Sequence, residues 1–127
     1  MKKKHEKSAI NKKDVNNTII ESILYKERIP KKYILAFGRV RVAQALVSLL
    51  ERRSPEIRMR AAEHLQYFPS QPIVVALSEI LLKDKNYLVR VQAADSLGNM
   101  RMRIACPVLT GALKDVNPLV RSYAASA

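Results

Sequence analysis

One stretch of this chain occurs three times. Ser54-Pro55-Glu56-Ile57-Arg58-Met59-Arg60-Ala61-Ala62 returns as Asn86-Tyr87-Leu88-Val89-Arg90-Val91-Gln92-Ala93-Ala94, and again as Asn117-Pro118-Leu119-Val120-Arg121-Ser122-Tyr123-Ala124-Ala125. The arginines fall 32 and then 31 residues apart. A period of that size is the mark of stacked supersecondary units, each too small to bury its apolar face alone. The expected architecture is therefore all-α: an α-solenoid, a right-handed superhelix of stacked antiparallel helix pairs.

Each copy reads as a capped helix. Ser54, Asn86 and Asn117 are side chains that accept from the free N–H groups of a first turn. Pro55 and Pro118 follow at the first helical position, where proline loses no bond. Ile57, Ala61 and Leu65 lie four apart, as do Val89, Ala93 and Leu97, so each helix carries one apolar stripe. Ala62, Ala94 and Ala125 beside the stripe allow close approach of neighbouring helices. A second helix is expected after each of the first two copies. Pro69-Ser70-Gln71-Pro72 is a breaker cluster, and Ile73 to Leu82 is then almost wholly apolar. Gly98-Asn99-Met100 reads as the end of the middle copy, with the next helix running from Pro107 to about Leu113. The turns that follow, Leu82-Lys83-Asp84-Lys85-Asn86 and Leu113-Lys114-Asp115-Val116-Asn117, are closely related.

The pattern Asp84…Asn86-x-Leu88-Val89-Arg90-x-x-Ala93-Ala94-x-x-Leu97-Gly98 resembles the short HEAT repeat of the phycobilisome-lyase-like type, and Asp115 to Ala125 resembles it again. Ser54 to Leu65 is similar but looser, with Arg52 where the turn aspartate of the pattern would stand. The resemblance covers roughly residues 39 to 127. It implies that Arg58, Arg90 and Arg121 form a structural ladder with the turn aspartates Asp84 and Asp115. The common offset of six residues from Asp84 to Arg90 and from Asp115 to Arg121 agrees with this. Arg52 before Arg58 would break the ladder.

The expected organisation is a disordered basic arm over 1–13, then N-terminal helices with a degenerate first repeat over 14–53. Repeats over 54–84, 85–115 and, in part, 116–127 complete it. Pro30 to Phe37 and Ala45 to Leu50 supply the degenerate unit, and a short helix from Asp14 to about Tyr25 carries Ile19, Ile20, Ile23 and Leu24. The third copy is read as a half-unit of a longer solenoid, showing Val120, Ala124 and Ala125 at an uncovered end through which the chain could self-associate.

The chain carries 23 Lys and Arg against 11 Asp and Glu, a formal charge of +12. Residues 1–41 hold +8 of it, so a basic arm suits an acidic protein, an anionic lipid or nucleic acid. No apolar run approaches a membrane span, and the Lys2-Lys3-Lys4 start is not followed by the apolar region of a signal peptide. A cytoplasmic location is expected. The single cysteine, Cys106, excludes an internal disulfide and is expected to be a buried structural thiol. The three glycines form no phosphate loop, no carboxylates pair on one face, and His64 has Glu63 beside it and not facing it. Neither a cofactor nor a metal nor an enzyme activity is expected.

These readings converge on a non-enzymatic scaffold or protein-interaction module. The expected partner is a protein or peptide, met by Gln44, Ser48, Ser78, Glu79, Thr110 and Lys114 on the second helices. A nucleic-acid-binding module is the alternative, through the basic arm and a polyanion-binding cluster of Arg52, Arg53 and Arg60. A third reading, implied by the resemblance, is a subunit of a bilin-lyase-like complex. Tyr67-Phe68 is expected to be a hydrophobic helix stop, and Tyr87 to be exposed.

Overall fold

The computed structural model describes residues 16–20 and 28–127. The arm at 1–13 and most of the helix expected at 14–25 lie outside the described residues. Those at 16–20 are helical, with Ile19 fully buried. The chain then runs through α1 (Lys31–Phe37), α2 (Arg39–Leu49), α3 (Pro55–Leu65), α4 (Gln71–Lys83) and α5 (Tyr87–Met100). A 3-10 turn (Arg103–Ala105), α6 (Cys106–Ala112) and α7 (Pro118–Ser126) complete it. Among the described residues there is no strand, and the helices stack as an α-solenoid.

Local chemistry sets the repeated helix starts. Ser54 Oγ accepts from the Ile57 N–H at 3.3 Å, Asn86 Oδ1 from Leu88 and Asn117 Oδ1 from Leu119, both at 2.8 Å. Each cap satisfies a donor that the first turn would otherwise leave open. Between α1 and α2 the chain turns on Gly38, whose φ of 83° favours glycine.

The core is a spine of Leu46, Leu49, Leu65, Leu77, Leu81 and Leu97, all essentially inaccessible. Each contributes about 1.5–3 kcal/mol of burial. The closest antiparallel pairs are α2 with α3, α4 with α5, and α6 with α7, each joined by a short turn. Successive pairs are held by a tight row of first helices, α3 on α5 on α7. Ala62, Ala94 and Ala124 keep that row close, and Ser96 Oγ donates across it to the Ala62 carbonyl at 2.8 Å. The row of second helices, α2, α4 and α6, stands further apart. α1 joins the stack mainly through α2 and has no fully buried side chain, with Ile34 and Phe37 half-buried against the core and Leu35 87% exposed. Its lack of the arginine and the double alanine explains this.

α5 runs to Met100, and Arg101 takes the left-handed position at φ 54° and ψ 40°. Gly98 serves packing: a methyl group there would lie 2.8 Å from the Ala127 Cα. Two expectations need correction. Val120 and Ala124 are buried against the stack, while Leu119, Tyr123 and Ala125 face out. Cys106 is exposed, because it lies at the first position of α6, before that helix turns its apolar side to the core.

His64 occupies the position of α3 that Ser96 occupies on α5, and it is 1% exposed. Neither ring nitrogen has a hydrogen-bond partner among the described residues. Burial, and then the charge of Arg60, lowers its pKa from 6.5 to about 4. The folded state thus prefers the neutral ring. Its contribution is complete above pH 6.5 and falls as the pH drops toward 4.

Two outcomes are expected. Arg101→Gly relieves a left-handed non-glycine residue and raises stability by about 0.5–1 kcal/mol, seen as a higher Tm; an unchanged or lower Tm counts against it. Between about pH 7 and about pH 4.5 the chain loses about 2–3 kcal/mol through His64, measured by urea unfolding, and His64→Leu removes most of that loss. Equal losses in both proteins would contradict the assignment.

Candidate functional site at the turn edge

Arg58 and Arg90 are placed alike, each in the first turn of a first helix. Arg58 donates from Nε to Asp84 Oδ2 at 2.8 Å and from Nη2 to Oδ1 at 3.0 Å. Arg90 donates likewise to Asp115, at 3.0 and 3.1 Å. The third donor of each turns back to the preceding turn: Arg58 Nη1 to the Arg52 and Arg53 carbonyls, Arg90 Nη1 to that of Asp84, all at 2.9 Å. Arg121 repeats only this last contact, donating to the Asp115 carbonyl at 2.6 Å, and makes no ion pair among the described residues. The carboxylate partner therefore lies downstream, not six residues upstream. Arg52 does not break the ladder, because the upstream position supplies only a main-chain carbonyl.

Each bound aspartate passes the constraint on. Asp84 Oδ1 accepts from the Asn86 N–H, and Asp115 Oδ1 from the Asn117 N–H, both at 2.9 Å. Those two asparagines cap α5 and α7. Burial would raise the Asp115 carboxyl, but hydrogen bonds from Arg90 and the Asn117 N–H outweigh it. With the charges of Arg90 and Arg121 they hold it below the ordinary carboxylate range.

The turns that carry this ladder form one edge of the stack, and its outer surface is apolar and cationic. Leu82 is 60% exposed and Val116 89%, with Leu113 also open. Leu82 and Leu113 occupy the same place in their repeats. Because α4 and α6 stand apart, a groove of about 390 Å³ opens between their ends. Leu82, Val116, Gly111 and Lys114 line it, and the Arg90–Asp115 pair closes its floor. A side chain built at Gly111 would meet nothing within 4 Å, so the groove is open on that side.

Of the six residues expected to meet a partner, Lys114 lines this groove and Thr110 is exposed one turn before it. Three have their hydroxyl donors occupied within their own helices, Ser48 by the Ala45 carbonyl, Ser78 by Val74 and Thr110 by Cys106. Ser48 also accepts from Asn16, and Glu79 pairs with Lys83 at 3.0 Å. Gln44 is exposed on α2, away from the groove. Arg52, Arg53 and Arg60 do not form one cluster. Arg52 and Arg53 are exposed at the turn edge, whereas Arg60 lies on the other side of α3, 3.6 Å from Glu63.

Phe68 is buried under the Arg39 guanidinium, and Tyr67 is half-exposed under Arg28. Tyr87 is likewise half-exposed. Burial, then the nearby charge of Glu63, raises the Asp95 carboxyl. No group of three or more His, Cys, Asp or Glu among the described residues is placed to hold a metal ion. No described helix is long and apolar enough to cross a membrane. The groove residues Leu82, Gly111 and Val116 were not singled out from the sequence. The likeness of the two turns is the signal that marks them.

Residues 37–127 match the family described as HEAT repeats. No curated protein matches the chain in sequence. Among solved structures, human deoxyhypusine hydroxylase in complex with glycerol is similar in fold, with a TM-score of 0.66 at 22% identity. The match covers 89% of this chain and 41% of the hydroxylase, so the chain spans about two-fifths of that protein's length. This likeness to an enzyme contradicts the expectation of a scaffold or protein-interaction module defined as non-enzymatic; its alternatives, the nucleic-acid module and the bilin-lyase-like subunit, are not borne out either. The same architecture serves an enzyme, so the repeats give no ground for a role defined by the lack of catalysis.

Arg90→Ala leaves the Asp115 carboxylate, itself only 13% exposed, without its partner. The expected loss is about 2–4 kcal/mol in chemical unfolding. Arg60→Ala removes a longer, half-exposed pair and is expected to lose less than about 1 kcal/mol. Small and equal losses would show that the ladder is not structural.

Proposed function

This chain belongs to the HEAT-repeat family, and from that premise we propose that its turn edge binds a polypeptide. The observation that carries the reading is the pair of exposed apolar side chains, Leu82 and Val116, that line an open groove between α4 and α6, with Leu113 exposed beyond it on the same edge. Stacked repeats present extended surfaces of this kind to their partners. Apolar side chains set in a groove and rimmed by polar ones are the usual mark of an interaction site on a protein surface. The reading concerns a binding step, which catalytic and non-catalytic repeat proteins share.

The rigid part of the site is well supported. The Arg90–Asp115 pair beneath the groove fixes the α6–α7 turn against α5, so the groove is formed before a partner arrives. A pre-formed site avoids the ordering cost that weakens binding by flexible loops. Gly111 leaves room for a partner backbone to lie close to α6.

Selection of a random peptide library displayed on phage tests this. The chain is expected to enrich peptides carrying apolar residues. Leu82→Asp and Val116→Asp are expected to weaken the enriched peptides about tenfold or more. Both positions are exposed, so melting temperatures should stay within the range of ordinary surface changes. Failure to enrich any peptide, or enriched peptides that bind both variants as well as the original, would sink the reading.

A further inference from the structure

The turn aspartates of this edge are occupied, while most of its cations are not. Asp84 and Asp115 each have both oxygens bound by an arginine, so neither offers a free negative charge to a partner. Lys114 lines the groove and Lys85 follows Asp84 in the turn at its other side; both are exposed without an ion pair among the described residues. Arg52, Arg53 and Arg121 extend the same edge, also exposed and without a carboxylate among the described residues. Against these stand Glu51 and Glu56, both exposed, and Glu79, already paired with Lys83. The edge is thus apolar along the groove and positive around it.

We infer, resting on the polypeptide reading above, that the partner is an acidic peptide segment. An apolar side chain sits in the groove between Leu82 and Val116, and an aspartate or glutamate on either side of it meets Lys85 or Lys114. Charge complementarity of this type steers association and selects among partners whose apolar anchors are alike. Nucleic acid fits the edge less well. Arg58 and Arg90 recur once per repeat and would suit regularly spaced phosphates, but each is bound in two-pronged fashion to its own aspartate. Leu82, Leu113 and Val116 among the lysines would face a phosphate chain that buries nothing against them.

Two displayed peptide libraries decide between these outcomes. Both fix one leucine in an otherwise random peptide; one places Asp or Glu on both sides of it, the other Lys or Gln. The acidic library is expected to yield binders about tenfold tighter or better. Their affinity should fall about tenfold in Lys85→Gln/Lys114→Gln, and fall with rising salt more steeply than that of neutral peptides. Equally tight binders from the Lys and Gln library would overturn the acidic inference and leave polypeptide binding intact. No binders from either library would overturn both readings. If a fluorescent single-stranded oligonucleotide then bound and was lost in the double lysine variant, the edge would be assigned to nucleic acid instead.

Discussion

A single kind of contact organises this molecule, the two-pronged bond from a first-helix arginine to the aspartate of the next turn. Arg58–Asp84 and Arg90–Asp115 join helices whose backbones approach one another least, since α3 and α4 touch far less than α2 and α3 do. The planar guanidinium suits the task because three donors point in fixed directions. Two take the carboxylate and one takes the carbonyl of the turn before, so one side chain ties two turns together. The aspartate then positions the capping asparagine, and the asparagine closes the first turn of the following helix. The sequence Arg58, Asp84, Asn86, Leu88 is thus one chain of bonds, as is Arg90, Asp115, Asn117, Leu119. Such a pair is not a large net gain in itself, because burying charges offsets much of their attraction. Its importance is that the turns cannot shift without stranding one of the charges.

Much of this was legible because it is local. Ser54, Asn86 and Asn117 act as caps through bonds that reach two or three residues, and the alternation of apolar and small residues places the spine. The all-helical solenoid follows from the period and the capped, striped helices, and the family from the resemblance of the Asp84 to Gly98 pattern. The direction of the ladder was not legible. Arg58 and Arg90 each have an aspartate or its substitute six residues before them and an aspartate 26 or 25 residues after, and only the stack shows which one the side chain reaches. Gly98 reads as part of a helix end, and its second task, admitting the end of α7, depends on a neighbour far along the chain. Cys106 belongs to an apolar segment, yet its place at the helix start turns it outward. The groove was hidden for a different reason. It arises from the wider spacing of the second-helix row, a property of three helices at once, and no single repeat records it.

The same spacing connects stability to function. First helices stack closely through alanine and serine. Second helices stand apart and leave an opening whose floor is the ladder itself. By neutralising its own aspartates, the ladder removes negative charge from an edge where lysines and leucines remain. A structural device thereby sets the electrostatic character of the surface above it.

The rungs also decide where the chain can change length. One closes over 26 residues and the next over 25, although the helices between them differ widely. α3 has 11 residues and α5 has 14, while α4 has 13 and α6 only 7. The difference is taken up at the far edge, by the longer α5 and the 3-10 turn before α6. That edge acts as the expansion joint of the repeat. Differences in helix length are absorbed there, whereas adding one residue to an Asp-x-Asn turn would unseat the arginine, the cap and the groove together.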